Sequence, residues 1–106
     1  MSNWVAYEMG RSIGKVSAEG GLIMRDEEHP GGARITFKRG SGHISVSCNL
    51  YGWVEHTRFF GTTADAQREY VAMKSALANV LGVINTKGVK EIKIWEAISD
   101  FVRKFP

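Results

Sequence analysis

Cysteine is nearly absent from this chain. Cys48 stands alone among 106 residues, so no internal disulfide can form, and a reducing, cytoplasmic setting is expected rather than a secreted scaffold. Only two prolines occur, which argues against a disordered or fibrous composition. No run approaches the roughly 18 apolar residues of a membrane span. No basic segment followed by an apolar stretch opens the chain, and no Asn-x-Ser/Thr acceptor is present. Internal repeats, low-complexity tracts and linkers are missing as well, so residues 1–106 are expected to form a single domain.

What is present is an ordinary globular balance, 43% hydrophobic and 24% charged. At this length a folded domain buries roughly two thirds of the surface its unfolded chain exposes, enough for one core without cross-links. The formal charge is +3 with a pI near 9.2. That mild basic bias suits an acidic partner but falls short of a nucleic-acid-binding tail.

Short alternating segments punctuated by Gly, Pro and Ser predict an antiparallel meander. Leu22 to Glu28 and Ala33 to Lys38 flank His29-Pro30-Gly31-Gly32, and a four-residue loop there sets Met24 opposite Phe37, Asp26 opposite Ile35 and Glu27 across from Arg34. Around Arg39-Gly40-Ser41-Gly42, Phe37 meets Ile44, Ile35 meets Val46 and Ala33 meets Cys48, giving one apolar face. A third hairpin at Tyr51-Gly52 pairs Leu50 with Trp53, Ile44 with Phe59 and Cys48 with Glu55, pointing Glu55 toward the core. A loop with an odd number of residues, or a bulge, turns His56 and Arg58 inward instead.

After Gly61, Thr62 or Thr63 caps a helix over about 63–83, with its apolar stripe at Ala66, Tyr70, Met73, Leu77, Leu81 and Ile84. Asn85-Thr86-Lys87-Gly88 breaks it. Ile94, Ile98, Phe101 and Phe105 then predict a C-terminal helix over about 90–104, with an edge strand at Val89 to Ile94 as the alternative. Trp4 to Met9 reads as a strand presenting Val5, Tyr7 and Met9 to one side, and Gly10 to Gly21 as an irregular connection. The expected fold class is α+β: four or five antiparallel strands with both helices packed on one face.

Most catalytic signatures fail on spacing. Gly10-Arg11-Ser12-Ile13-Gly14-Lys15 is one residue short of a phosphate loop, and Val16 replaces the hydroxyl that would hold magnesium. Ser12-Ile13-Gly14-Lys15 matches Ser-x-x-Lys without its companion motifs. His29, His43, His56 and Cys48 lack metal-ligand spacing, so neither metal nor cofactor is expected. Cys48, between Val46 and Leu50, reads as a packed thiol.

Two candidate sites remain. The first is the outer sheet face, where the predicted registers gather Arg25, Arg34, Lys38 and Arg58 with Thr36, Ser45, Ser47, His43 and His56, opposed only by Glu27. Arg25, Arg34, Arg58, His56 and Ser47 are its candidate binding residues, for an acidic protein partner or a small anion. Nucleic acid is disfavoured because the face lacks a stacking platform. The second candidate is Tyr51, Glu55 and His56, where a desolvated carboxylate could handle protons in a small enzyme or ligand-binding domain. Adjacent strand residues point to opposite faces, which sets Glu55 and His56 apart unless a bulge intervenes. An exposed edge strand or the apolar C-terminal tail offers a route to a homodimer.

Gly31-Gly32-Ala33-Arg34-Ile35-Thr36, Tyr51-Gly52-Trp53-Val54-Glu55-His56-Thr57-Arg58-Phe59-Phe60 and Tyr70-Val71-Ala72-Met73-Lys74 resemble the motifs of a small bacterial family of uncharacterised proteins, over roughly residues 12 to 84. The resemblance implies no activity and no site residues. By size alone it fits an accessory binding protein better than an enzyme.

Overall fold

The computed structural model describes residues 3–18, 20–40 and 42–106. Five strands follow one another in space as in sequence: β1 (Val5–Ala6), β2 (Leu22–His29), β3 (Ala33–Gly40), β4 (His43–Leu50) and β5 (Val54–Phe60), all antiparallel. Two helices complete the α+β fold, α1 (Thr63–Ile84) and α2 (Glu91–Lys104). Residues 89–94 do not form a strand; α2 begins at Glu91. No helix among the described residues is long and apolar enough to cross a membrane.

Ala33, Ile35 and Phe37 of β3 join Val46, Cys48 and Leu50 of β4 beneath the helices. From α1 they meet Ala66, Tyr70, Met73, Leu77, Val80 and Leu81, and from α2 Ile94, Ile98 and Phe101, followed by Phe105. Thr62 caps α1, its hydroxyl accepting from the Asp65 amide at 3.1 Å. This satisfies one of the amides that the first turn leaves without an intrahelical partner. At the other end, Asn85 donates to the carbonyls of both Leu81 and Gly31, pinning the end of α1 to the β2–β3 loop.

Loop length decides which side chains face these helices, and two loops are odd. His29 pairs with Ala33, leaving only Pro30, Gly31 and Gly32 in the turn. The Gly32 amide closes it onto the His29 carbonyl, and the Gly31 amide donates to His29 Nδ1. Compared with a four-residue loop, each β2 residue near the turn moves by one position, and every side chain changes face. A bulge at Met24 restores the phase, so Ile23 pairs with Lys38 while Arg25 pairs with Phe37. Arg25 and Glu27 therefore lie under the helices, and Asp26 lies on the opposite face.

The β4–β5 turn is also odd. Leu50 pairs with Val54 across Tyr51, Gly52 and Trp53, with Gly52 at φ +81°, a left-handed conformation that suits glycine. Cys48 consequently faces His56 and Val46 faces Arg58, while Glu55 pairs with Asn49 and Phe59 with Ser45. His56 and Arg58 turn toward the helices, and Glu55 and Phe59 away. The β3–β4 pairing differs from expectation by two residues, since β3 runs on to pair Gly40 with His43. An even shift leaves the faces unchanged.

The first strand is shorter than its alternation predicts. After Ala6 the chain leaves the sheet through Tyr7–Gly10, where Glu8 and Met9 take left-handed φ values of +48° and +57°. Each such non-glycine residue carries about 1–2 kcal/mol of strain. Met9 is not presented to a core; it is 85% exposed. The chain then returns along β2, where Ile23 exchanges bonds with Gly14 and Lys15. Residues 14–18 and 20–21 thus border the face opposite the helices.

Candidate functional site: the open face of the sheet

Strand pairing arranges the uncovered face as three cross-strand rows. Arg34, Asn49 and Glu55 form one row, Thr36, Ser47 and Thr57 the next, and Lys38, Ser45 and Phe59 the third. Each row spans β3, β4 and β5. Among the described residues neither α1 nor α2 packs on this side, and hollows lie on it. A concavity of about 480 Å³ is lined by Ser17, Arg34, Thr36, Ser47, Asn49 and Glu55 among others. A second of about 310 Å³ is lined by Gly20, Gly21, His43, Ser45 and Phe59. Lys38 and Thr57 border both.

The rows differ chemically. Arg34 is bound in bidentate fashion to Asp26, Nε to Oδ1 at 2.9 Å and Nη2 to Oδ2 at 2.7 Å. Thr36 adds its hydroxyl to the same carboxylate at 3.0 Å. The Asp26 side chain has no accessible surface, and the Tyr7 ring stacks over the guanidinium at 3.6 Å. The hydrogen bonds that Arg34 donates to Asp26 outweigh burial and hold the Arg34 pKa above its ordinary value. Arg34 is thus a strut whose charge is matched inside the fold. In the middle row Ser47 and Thr57 share a hydrogen bond of 2.9 Å. At the far end Phe59 is 69% exposed and meets His43 edge-on, with centroids 5.9 Å apart.

Of the five predicted binding residues, Arg34 and Ser47 stand on this face. Arg25, Arg58 and His56 do not, because the odd loops rotate them beneath the helices. Arg25 lies over the Tyr70 ring at 4.3 Å and bonds Glu27. Arg58 donates to Glu69 at 2.7 Å and to the carbonyl of Pro106 at 3.1 Å. The His56 ring bonds the Phe105 carbonyl through Nε2. With Arg34 balanced by Asp26 and Glu55 on the same face, the basic residues that the expected registers gather are not concentrated there.

Tyr51, Glu55 and His56 do not converge. Tyr51 donates to Glu28 Oε2 at 2.5 Å, and burial, reinforced by that carboxylate, raises its phenol pKa. Glu55 points into the open hollow instead of the core, and His56 lies on the other face of the sheet. Cys48 is buried as predicted, and burial pushes its thiol up to about 12. Among the described residues no three His, Cys, Asp or Glu side chains are grouped to hold a metal.

Glu55, Thr57 and Phe59 are the residues that the expected registers turn away from this face, while Asn49 shares the face of Ser45 and Ser47 in either register. The available signal was Gly52 in the middle of Tyr51-Gly52-Trp53, a left-handed position that accommodates a three-residue turn.

The carboxylate predicted outside, Glu27, is instead the polar centre of the helix–sheet interface. It accepts from Tyr70 Oη at 2.7 Å, from Lys74 Nζ at 2.9 Å and from Arg25 Nη2 at 3.3 Å. Burial opposes its ionisation, but the bonds from Tyr70 and Lys74 prevail and hold the carboxyl below its ordinary 4.5. A depressed folded pKa contributes stability that is full above the unfolded value and is lost as pH falls through the folded one. Glu27→Gln should therefore cost about 1.5–3 kcal/mol at pH 7. In urea titrations this deficit should shrink as pH falls below about 4.5; a gap that stays constant to pH 3 would contradict the assignment.

Compared with protein-family models, curated proteins and solved structures, the chain matches none.

Proposed function

We propose that this protein is a non-enzymatic binding module that takes a small polar ligand in the hollow of its open sheet face. The observation that carries this reading is the pair of adjoining concavities, about 480 and 310 Å³, on the side that neither α1 nor α2 covers. Volumes of roughly 300–1,000 Å³ suit small ligands. The lining favours a ligand rich in hydrogen-bonding groups, since Thr36, Ser45, Ser47, Asn49 and Thr57 all reach it. Lys38 stands at the junction of the two hollows, and the Glu55 carboxylate lines the larger one.

An acidic protein partner is the weaker of the two binding readings. A flat interface steered by charge needs an extended positive patch, and Arg25 and Arg58 point elsewhere. The enzyme alternative loses its basis because Tyr51, Glu55 and His56 are divided between two faces.

Titration calorimetry against sugar phosphates, nucleoside monophosphates and dicarboxylates tests the proposal. At least one class should bind with a Kd below about 1 mM. Ser47→Val, which removes a hydroxyl from the lining, should weaken that binding about fivefold or more while thermal unfolding changes little. Absence of binding by every class, or binding unaffected by Ser47→Val, would overturn it.

A further inference from the structure

The sheet has two edges, and they are treated differently. On one side β1 contributes only Val5–Ala6, and Ile23 of β2 is already occupied by Gly14 and Lys15. On the other side β5 runs for seven residues, Val54–Phe60, with no strand beyond it among the described residues. Proteins blunt such edges with proline, bulges or very short strands. β5 has no proline, and its register with β4 is unbroken from Val54 to Phe60. None of its residues is fully buried, unlike the inner residues of β3 and β4.

The ladder fixes which backbone groups of β5 face outward. The Tyr51 amide donates to the Gly32 carbonyl, continuing the β3–β4 pairing. Bonded and non-bonded pairs alternate in an antiparallel ladder, so Arg34/Asn49, Thr36/Ser47 and Lys38/Ser45 are bonded pairs. β4 then bonds β5 through residues 44, 46, 48 and 50. Glu55, Thr57 and Phe59 are left with both N–H and C=O directed away from the sheet.

We infer that two copies of this chain associate through β5 about a two-fold axis at Thr57, joining the five-stranded sheets into one of ten strands. This register is the one that uses all three outward-facing residues. Thr57 meets its own counterpart, and Glu55 meets Phe59 of the other copy on each side, with no like charges opposed in the bonded pairs. Threonine opposite threonine is a favourable cross-strand pair. The hydroxyl row Thr36–Ser47–Thr57 then runs unbroken through the axis into the second copy, and the two open faces become one surface.

Light scattering coupled to size exclusion should give a mass twice 11.8 kDa. Thr57→Pro removes an amide that the fold itself does not use, and proline is tolerated on an edge strand with its nitrogen facing out. That variant should elute at 11.8 kDa with its circular dichroism retained. A second readout covers the case in which Thr57→Pro does not fold. In the wild-type protein the amides of Glu55, Thr57 and Phe59 should exchange with deuterium slowly at high concentration and quickly on dilution. A wild-type protein that stays monomeric to about 1 mM, a dimer that survives Thr57→Pro, or fast exchange of these three amides at every concentration would overturn the inference.

Discussion

Replacing Arg34 with methionine is expected to lower stability by about 3–5 kcal/mol, the usual loss when one partner of a buried ion pair is removed. Asp26 would keep only the Thr36 hydroxyl, on a side chain with no access to water. The Tyr7 ring would also lose the cation beneath it. For a domain of this size such a loss lowers Tm by roughly 12–25 °C. Replacing both partners, Asp26→Leu with Arg34→Met, should recover much of it, since the uncompensated charge dominates the single-variant loss. Chemical denaturation of the two single variants and the double variant measures the coupling. A single-variant loss below about 1 kcal/mol would show that the pair behaves as an exposed one. Arg34 is thus a poor place to look for a binding defect, because its removal acts on folding first.

Phe101→Ala should cost about 3–5 kcal/mol, as do other large-to-small changes of buried aromatics. Phe101 is the part of α2 that packs against the His56 ring and against Phe105, at centroid distances of 6.4 and 5.1 Å. Its loss should loosen α2 before the sheet unfolds. Amides from Ile98 to Lys104 should then exchange faster than those of β3 and β4. Cys48 supplies an independent readout. Buried, with its thiol pushed up to about 12, it should resist alkylation in the wild-type protein and react faster in the variant. Equal exchange in α2 and the central strands would mean that α2 and the sheet open as one unit.

Much of the fold was legible in the sequence because hydrophobic spacing survives small errors of register. α1 matched to within one residue at its end, and Ile94, Ile98, Phe101 and Phe105 are all buried where helical spacing predicts. In the sheet, β3 and β4 tolerated a pairing error because it was a shift of two. The candidate site had no such margin. One residue more or less in a turn exchanges the faces of a strand, so Arg25, Arg58 and His56 moved under the helices while Glu55 and Phe59 came out. Polar alternation could not prevent the error, since β5 reads as amphipathic in either phase. Only the conformational demand at Gly52 and the bulge at Met24 separate the phases, and the bulge carries no proline or glycine to mark it.

The hydroxyl row at the centre of the open face also bears on selectivity. A hydroxyl can turn to give a proton or to receive one, and in the Ser47–Thr57 pair either oxygen can be the donor. Such a strip can adjust to many ligand patterns and discriminates little among them. Choice between ligands then falls to groups of fixed polarity or shape at its two ends, the Asn49 amide and Glu55 carboxylate on one side and the Phe59 ring on the other. Variants intended to redirect recognition belong at those ends, with the serines and threonines between them left as an accommodating floor.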